Sequence, residues 1–487
     1  MQQMTPAQTP APADPVGTDR AVVHPQLGAG RLLHTYMGGF EWEVQFASGR
    51  RFRLPAREFE GSSTAAWQQH APSLVPPAAP RAATLEIDQF RARQTLEALR
   101  LGVVPVRDVE TLTIGLEAER VSLDRALARS RERGGDVQAV IGDYGFGKSH
   151  FVELAARRAL RENFIVASAS LDLVEAPPAK AFEIYRALVR SIRYPDEDVN
   201  ERGLRPLVRR ALEHPGVVAA FVDRSPVPLH CPISAALRAL QDCADQGAYD
   251  DIMAWLAGQI KPTPELRRCL KRPPSLYAAG EVARLYSYLL SGLSVLATLC
   301  GYSGLAILID ESEHYSLLRA TQRGRADAFF KALIYGALGS GSRVDPTTIP
   351  EHVRVGYPTT FATNPHLFFL FALTESENRM PVDAWLAPAQ IVRLDDRFIE
   401  RDIAAFGHTL LQYHGLAYGY TPDVERFGAL LTTAPALLSA LLGQHRVNLR
   451  EVIRLSVTLY DLLYLHRDYT PAALLDELRR GVGVGLP

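Results

Sequence analysis

Apolar runs of strand length alternate with helical patterns through the middle of the chain. The runs typical of buried strands span residues 137–141, 164–168, 305–309, 367–373 and 390–393. Residues 150–160 and 396–414 have the composition and spacing of helices. Because strands that alternate with helices usually pair in parallel, the pattern predicts an α/β fold with a three-layer α/β/α core over residues 84–394.

The N-terminal part of the chain has a different pattern. Residues 21–60 contain short alternating runs with turn signals at Gly38-Gly39 and Ser48-Gly49, which predicts a small β-barrel of four or five strands. Residues 1–20 lack the basic start and apolar core of a signal peptide, so we expect a disordered tail. Residues 61–83 are rich in Ala, Pro and Ser, which is typical of a linker that leaves the β module mobile.

Two clusters of basic residues are candidates for contact with nucleic acid. They are Arg50, Arg51, Arg53 and Arg57, beside Phe52 and Phe59, and Arg267, Arg268, Lys271 and Arg272. The first suits nucleic acid or an acidic partner as well as it suits a solvated edge strand. The second falls in a helical insertion predicted over residues 195–285, where a solvated helix face is the favoured interpretation. Because the net charge is -1, any contact with DNA must be local.

An uncharged stretch at residues 286–309 has the length of a membrane-spanning helix. Gly292, Gly301 and Gly304 interrupt it, and its second part is one of the predicted strands. The stretch therefore predicts a buried helix followed by a central strand, and no contact with a membrane.

Length and composition fit a globular protein of two or three domains, with 487 residues of which 47% are hydrophobic. The four cysteines are Cys231, Cys243, Cys269 and Cys300. Their wide separation favours buried free thiols in a reducing cytoplasm over a zinc site. His408 and His414 do not share a helix face, so they are not expected to bind a metal.

Residues 142–149 read Gly-Asp-Tyr-Gly-Phe-Gly-Lys-Ser, a complete phosphate-binding loop between a predicted strand and a predicted helix. Glycines let backbone N–H groups turn toward phosphates, and the helix N-terminus adds positive partial charge. Lys148 should reach the β and γ oxygens of ATP, and the Ser149 hydroxyl should ligate Mg²⁺. The nucleotide-binding candidates are Gly142, Asp143, Tyr144, Gly145, Phe146, Gly147, Lys148, Ser149 and His150.

Polar residues follow two of the predicted strands at their carboxyl ends, where open α/β sheets bind ligands. Asp310 and Glu311 end the run at 305–309 and suit a Mg²⁺ ligand and a general base that activates water. Thr374 ends the run at 367–373 and is a candidate sensor of the γ-phosphate. Each residue could instead cap the helix that follows its strand.

Three stretches together resemble one family. Residues 142–150, with 112–119 before them and 308–313 after them, are similar to the BREX ATP-binding proteins (BrxC/BrxD) of bacterial phage-resistance systems. That family has an AAA+ core related to origin-recognition ATPases, and the resemblance covers residues 84–460. It implies that Lys148 and Ser149 bind ATP and magnesium and that Asp310 and Glu311 carry out hydrolysis. Residues 21–60 resemble SH3-like or Tudor-like modules.

The AAA+ layout implies further site residues. Val104 and Pro105 would contact the adenine, and Arg450, or else Arg446, would contact the γ-phosphate as a sensor. Arg379, expected on the helix after the strand at 367–373, would complete a neighbouring subunit's site as an arginine finger, which requires a homo-oligomer. The alternative for each arginine is an ordinary ion pair.

Three functions are consistent with these features. The first is a Mg²⁺-dependent ATPase that assembles or remodels a DNA-associated antiphage complex. The second is a nucleotide-gated scaffold that recruits a helicase or methyltransferase with little hydrolysis. The third is an origin-recognition-like DNA loader that binds DNA through residues 395–487, for which the pattern predicts a helical region.

Overall fold

The computed structural model describes residues 20–24, 27–36, 41–47, 49–55, 59, 87–196, 201–270, 273–276, 283–351, 355–395, 400–427 and 449–482. The chain forms two compact units, Met1–Thr84 and Leu85–Pro487. Arg57, Lys271, Arg272 and Arg446 lie outside the described residues, as do residues 1–19 of the predicted tail and the whole predicted linker, whereas Arg20 belongs to a strand.

The first unit contains a four-stranded antiparallel sheet in the order β1-β2-β3-β4. Its strands are β1 (Arg20–His24), β2 (Gly28–Tyr36), β3 (Glu41–Phe46) and β4 (Arg51–Pro55). Alternate residues such as Val22, Leu32 and Val44 share one buried cluster with Phe59. The β module is therefore confirmed as a four-stranded meander, and its closure into a barrel stays a prediction.

The second unit is built on a five-stranded parallel sheet in the order β6-β7-β8-β5-β9. Its strands are β5 (Gly135–Gly142), β6 (Phe164–Ser170), β7 (Gly304–Asp310), β8 (Leu367–Thr374) and β9 (Ile391–Arg393). All five predicted strands are present, and the α/β fold is confirmed.

Helices cover both faces of this sheet because successive strand residues point to opposite sides. Phe369 and Phe371 of β8 belong to one apolar cluster, whereas Phe368, Leu370 and Ala372 belong to another. The second cluster lies against α2 (Glu117–Arg133) and α3 (Lys148–Arg161). The first lies against the remaining helices of the core. These are α4 (Ala181–Ser191), α5 (Arg205–Glu213), α6 (Pro215–Arg224), α7 (Pro232–Gln241), α8 (Gln246–Leu256), α9 (Pro264–Cys269), α10 (Ala283–Leu299), α11 (Ala320–Leu338) and α12 (Val382–Trp385).

The uncharged stretch is explained by α10 and β7. Nearly every residue of α10 is buried, and β7 lies inside the sheet between β6 and β8. Among the described helices, none has the length and apolar character needed to cross a membrane.

The C-terminal region is helical, as expected, with α13 (Glu400–Tyr418), α14 (Leu449–Leu465) and α15 (Pro471–Val482). The helix that precedes the core, α1 (Ile87–Arg100), packs with them rather than with the sheet. Residues of α1 such as Leu96 share an apolar cluster with Leu410 of α13 and Tyr460 of α14.

A partly buried polar network reinforces this packing. The imidazole of His414 lies 2.9 Å from the Tyr420 hydroxyl and 3.2 Å from Asp461, which also accepts a hydrogen bond of 2.7 Å from Arg100. Burial opposes ionisation of Asp461, but the hydrogen bond from His414 and the charge of Arg100 lower its pKa. His414 therefore has a structural role that its spacing did not reveal.

The cysteines are free thiols, but they are not uniformly buried. Cys231 is buried, Cys243 and Cys300 are partly exposed, and Cys269 is exposed. The expectation of burial is wrong for Cys269 because α9 is short and only its Leu266 turns inward.

Candidate nucleotide-binding site

The phosphate loop connects the end of β5 to the first turn of α3. Gly145 and Gly147 have φ values of +87° and +83°, the left-handed region that glycine enters at little cost. An added Cβ at Gly147 would meet no atom within 4 Å, so the backbone conformation and not space requires glycine there. A turn of this kind ahead of a helix N-terminus directs N–H groups toward an anion.

Lys148 is held inside the loop. Its Nζ donates hydrogen bonds of 3.0 Å to the carbonyl oxygens of Gly142 and Asp143, and its side chain is almost fully buried. A buried ammonium beside turned N–H groups makes this loop electropositive.

The carboxylates at the end of β7 face the same loop. Asp310 is hydrogen-bonded to the Ser149 side chain and accepts a hydrogen bond of 2.8 Å from the backbone N–H of Glu311. Burial raises the pKa of the Asp310 carboxyl, partly opposed by these hydrogen bonds. The Ser149 hydroxyl and the Asp310 carboxylate are the hard oxygen donors that Mg²⁺ prefers, so the pair fits this ion.

Glu311 has a strained backbone, with φ +56° and ψ 32°. A residue other than glycine in this region carries a conformational cost, and such strain is concentrated at functional sites. The Glu311 carboxylate is exposed and accepts a hydrogen bond of 2.6 Å from the Ser170 hydroxyl. The strand register explains the contact because Ser170 of β6 lies opposite Asp310 of β7.

An apolar wall continues the cleft beyond the phosphate loop. Val104 and Pro105 lie in it, so the predicted adenine contacts are in the same cleft as Lys148 and Glu311. The cleft opens to solvent. Part of its apolar lining, which we call the base-side wall, is formed by Val103, Val104, Pro105, Leu112, Ile114, Leu116, Leu449 and Ile453.

Arg450 lies at the edge of this cleft, on the first turn of α14. Its Nη1 donates a hydrogen bond of 2.9 Å to the Tyr144 hydroxyl, and its guanidinium carbon lies 5.2 Å from the centre of the Tyr144 ring. The candidate sensor arginine and the phosphate loop are therefore in direct contact.

His150 follows the loop on α3 and is half-buried. Its Nε2 lies 2.9 Å from the Thr113 hydroxyl, which ties α3 to the segment before α2. Burial, together with the charge of Arg120, lowers the pKa of His150 to about 4, so the imidazole is neutral at physiological pH.

Thr374 and Arg379 follow β8. Thr374 lies opposite Gly142 in the strand register, which brings it close to the start of the phosphate loop. The expectation that Arg379 lies on a helix is wrong, because it sits in a turn before α12. Its guanidinium is mostly buried and bonds to Glu375 at 3.0 Å and to Asp383 at 2.6 Å.

The sequence did not predict three features of the site. They are the hydrogen bond from Ser170 to Glu311, the contact between Tyr144 and Arg450, and the place of Leu449 and Ile453 of α14 in the cleft lining. The alternation of serines at the end of the strand at 164–168 is a signal for Ser170, since neighbouring parallel strands end at one edge. No local pattern could reveal the other two because their partners are remote in the sequence.

Together, the parallel sheet, the glycine turn, the buried lysine and the acids at the end of β7 define the class of phosphate-loop nucleotide-binding proteins. Residues 87–212 match the family described as BREX system ATP-binding protein BrxC/D. That match confirms the resemblance over this stretch, which includes the phosphate loop but not Asp310 or Glu311. The family name implies ATP binding within an antiphage BREX system. No curated protein matched the chain.

Proposed function

We propose that the protein is a cytoplasmic Mg²⁺-dependent ATPase of AAA+ type that couples ATP binding and hydrolysis to the assembly or remodelling of an antiphage complex. One observation carries the proposal. Lys148 and Ser149 on the phosphate loop share a single cleft with Asp310 and Glu311 at the end of β7. Binding alone needs only the loop, whereas hydrolysis also needs the two acids.

Each side chain has a role that follows from its chemistry. The Lys148 ammonium binds the β- and γ-phosphate oxygens, and Ser149 and Asp310 hold Mg²⁺, which when bound offsets the charge of those phosphates. Glu311 orients a water molecule and accepts its proton, while Ser170 fixes the direction of that carboxylate. Thr374 and Arg450 would contact the γ-phosphate.

The base-side wall links nucleotide binding to the C-terminal helices. Leu449 and Ile453 belong to α14, which packs against α1 and α13. Closure of the wall on a nucleotide would therefore move these helices relative to the sheet. We propose that this movement changes the binding of a partner. The partner is a helicase or methyltransferase of the defence system, a second copy of this chain, or DNA.

Phosphate release by the purified full chain tests the proposal. The wild type should release phosphate from ATP in the presence of Mg²⁺, and Glu311→Gln should retain ATP binding while turnover falls about 100-fold. Glu175→Gln changes an exposed acid on the same edge of the molecule and should leave turnover unchanged. Normal turnover by Glu311→Gln would contradict the proposed role of Glu311.

A nucleotide-gated scaffold is the second candidate, and the environment of Arg379 favours it. This arginine is engaged by Glu375 and Asp383 of its own chain, which opposes its use in a neighbour's site. If the protein is a scaffold, turnover will be negligible at every protein concentration although ATP binds. If an arginine completes a neighbour's site, turnover per chain will rise with concentration as subunits associate.

A further inference from the structure

The contact between Tyr144 and Arg450 joins two parts of the chain that are 306 positions apart. It combines a hydrogen bond with a guanidinium lying over an aromatic ring, at distances of 2.9 Å and 5.2 Å. Both interactions are specific in direction, so together they fix where the guanidinium lies.

Phosphate binding by the loop does not explain a tyrosine at position 144. Such loops hold phosphates through backbone N–H groups and a lysine, and the side chains at intervening positions are not needed for that. The Tyr144 side chain is 63% exposed, although a large aromatic ring gains from burial. The contact with Arg450 explains why a tyrosine lies at the mouth of the loop.

Arg450 is confined on its other side by the segment that leads into the base-side wall. A Cβ added at Gly102 would lie 3.2 Å from Cδ of Arg450, so the aliphatic part of the arginine rests on the Gly102 backbone. One turn further along α14, Arg454 Nε donates a hydrogen bond of 3.2 Å to the carbonyl oxygen of Arg100. The backbone fixes the stem of Arg450, and Tyr144 fixes its charged end.

We propose that Tyr144 is a positioning residue that holds Arg450 at the mouth of the phosphate loop, ready for the γ-phosphate. The inference rests on the proposed ATP binding and adds a residue that acts through Arg450. The same contact links the loop to α14. Nucleotide affinity and the position of the C-terminal helices are therefore coupled through this pair, and the coupling is reciprocal.

A double-mutant cycle on nucleotide affinity tests the proposal, with dissociation constants for ATP and ADP measured by calorimetry on the full chain in Mg²⁺ buffer. Tyr144→Ala should weaken ATP binding about tenfold and Tyr144→Phe about threefold, because phenylalanine keeps the ring and loses only the hydroxyl. Arg450→Ala should weaken ATP binding about 30-fold, and the double variant should be no weaker than Arg450→Ala alone. ADP affinity should change less than about threefold in every variant, since ADP lacks the γ-phosphate.

Arg467→Ala is the matched control because Arg467 is an exposed arginine in the turn that follows α14 and lies outside the cleft lining. It should leave ATP affinity unchanged. Additive losses in the double variant, about 300-fold in total, would overturn the positioning role, as would equal losses for ATP and ADP. If the wild type bound neither nucleotide, the proposed function would fail, and that result is distinct from either of these.

Discussion

The two sides of the cleft are built in different ways. The phosphate side comes from consecutive residues of one loop and from the ends of adjacent strands, which the sheet holds in register. The base-side wall comes from the segment after α1 and from the start of α14, which are brought together by an apolar cluster outside the sheet. The phosphate side is therefore fixed by backbone geometry, whereas the base side depends on how the helices pack.

This difference predicts a division of labour. In the proposed function, residues on the phosphate side would contact the groups where charge develops, so changes there should affect turnover. Residues on the base-side wall would contact a part of ATP that does not react, so changes there should affect affinity for ATP and ADP alike. Tyr144 and Arg450 lie at the boundary and should affect ATP more than ADP.

The largest effect should come from Asp310→Asn, which removes the charged oxygen proposed to hold Mg²⁺. Turnover should fall about 100-fold or more, and added Mg²⁺ should no longer increase ATP affinity. Steady-state phosphate release and calorimetry with and without Mg²⁺ measure these outcomes. An unchanged response to Mg²⁺ would contradict the assignment.

The same substitution should stabilise the fold at neutral pH. Burial raises the pKa of the Asp310 carboxyl, so its ionised form costs the folded protein stability above that pKa. The cost disappears as pH falls below the unfolded value of an aspartate, about 3.9. Asp310→Asn should therefore have a higher Tm than the wild type at pH 7, and the gain should shrink as the pH approaches 4. Thermal unfolding across this range is the measurement.

Ile453→Ala tests the base side with a smaller expected effect. Removing apolar surface from the wall should weaken ATP and ADP binding equally, by about fivefold to tenfold, and leave turnover at saturating ATP unchanged. Leu455→Ala, on the same helix but outside the cleft lining, controls for loosened packing of α14. If Ile453→Ala, and not Leu455→Ala, greatly lowered turnover at saturating ATP, the claim that base-side residues affect only nucleotide affinity would be wrong.

Ser170→Ala should reduce turnover about fivefold without changing ATP affinity, because the hydroxyl orients Glu311 and does not bind nucleotide in the proposed arrangement. Ser170→Thr keeps a hydroxyl and should restore part of the lost turnover. The contact has no role in hydrolysis if Ser170→Ala turns over like the wild type.

The smallest effect concerns the left-handed backbone of Glu311. Both Glu311→Ala and Glu311→Gly lack the carboxylate, but only glycine adopts φ +56° without strain. We expect Glu311→Gly to be more stable than Glu311→Ala by about 1 kcal/mol in chemical denaturation. Equal stabilities would show that the backbone at this position carries no strain.

The same comparison explains what the sequence could reveal. The five strands, the phosphate loop and the acids after β7 are local patterns, and the sheet turns them into one site because parallel strands end at one edge. The packing of α1 against α13 and α14 is set by contacts between distant segments, so no local pattern could predict it. Arg379 was expected on a helix because the AAA+ layout implies an arginine finger there, whereas ion pairs to Glu375 and Asp383 hold it in a turn.

The most direct test of the account is calorimetric titration of the full chain with ATP in Mg²⁺ buffer, for the wild type, Lys148→Ala and Lys331→Ala. Lys331 is a suitable control because it lies on α11 over the Trp385 ring and outside the cleft lining. The account predicts one site per chain in the wild type and in Lys331→Ala, with affinity reduced about 100-fold or more in Lys148→Ala. Absence of binding by the folded wild type, or equal affinity in Lys148→Ala, would contradict it.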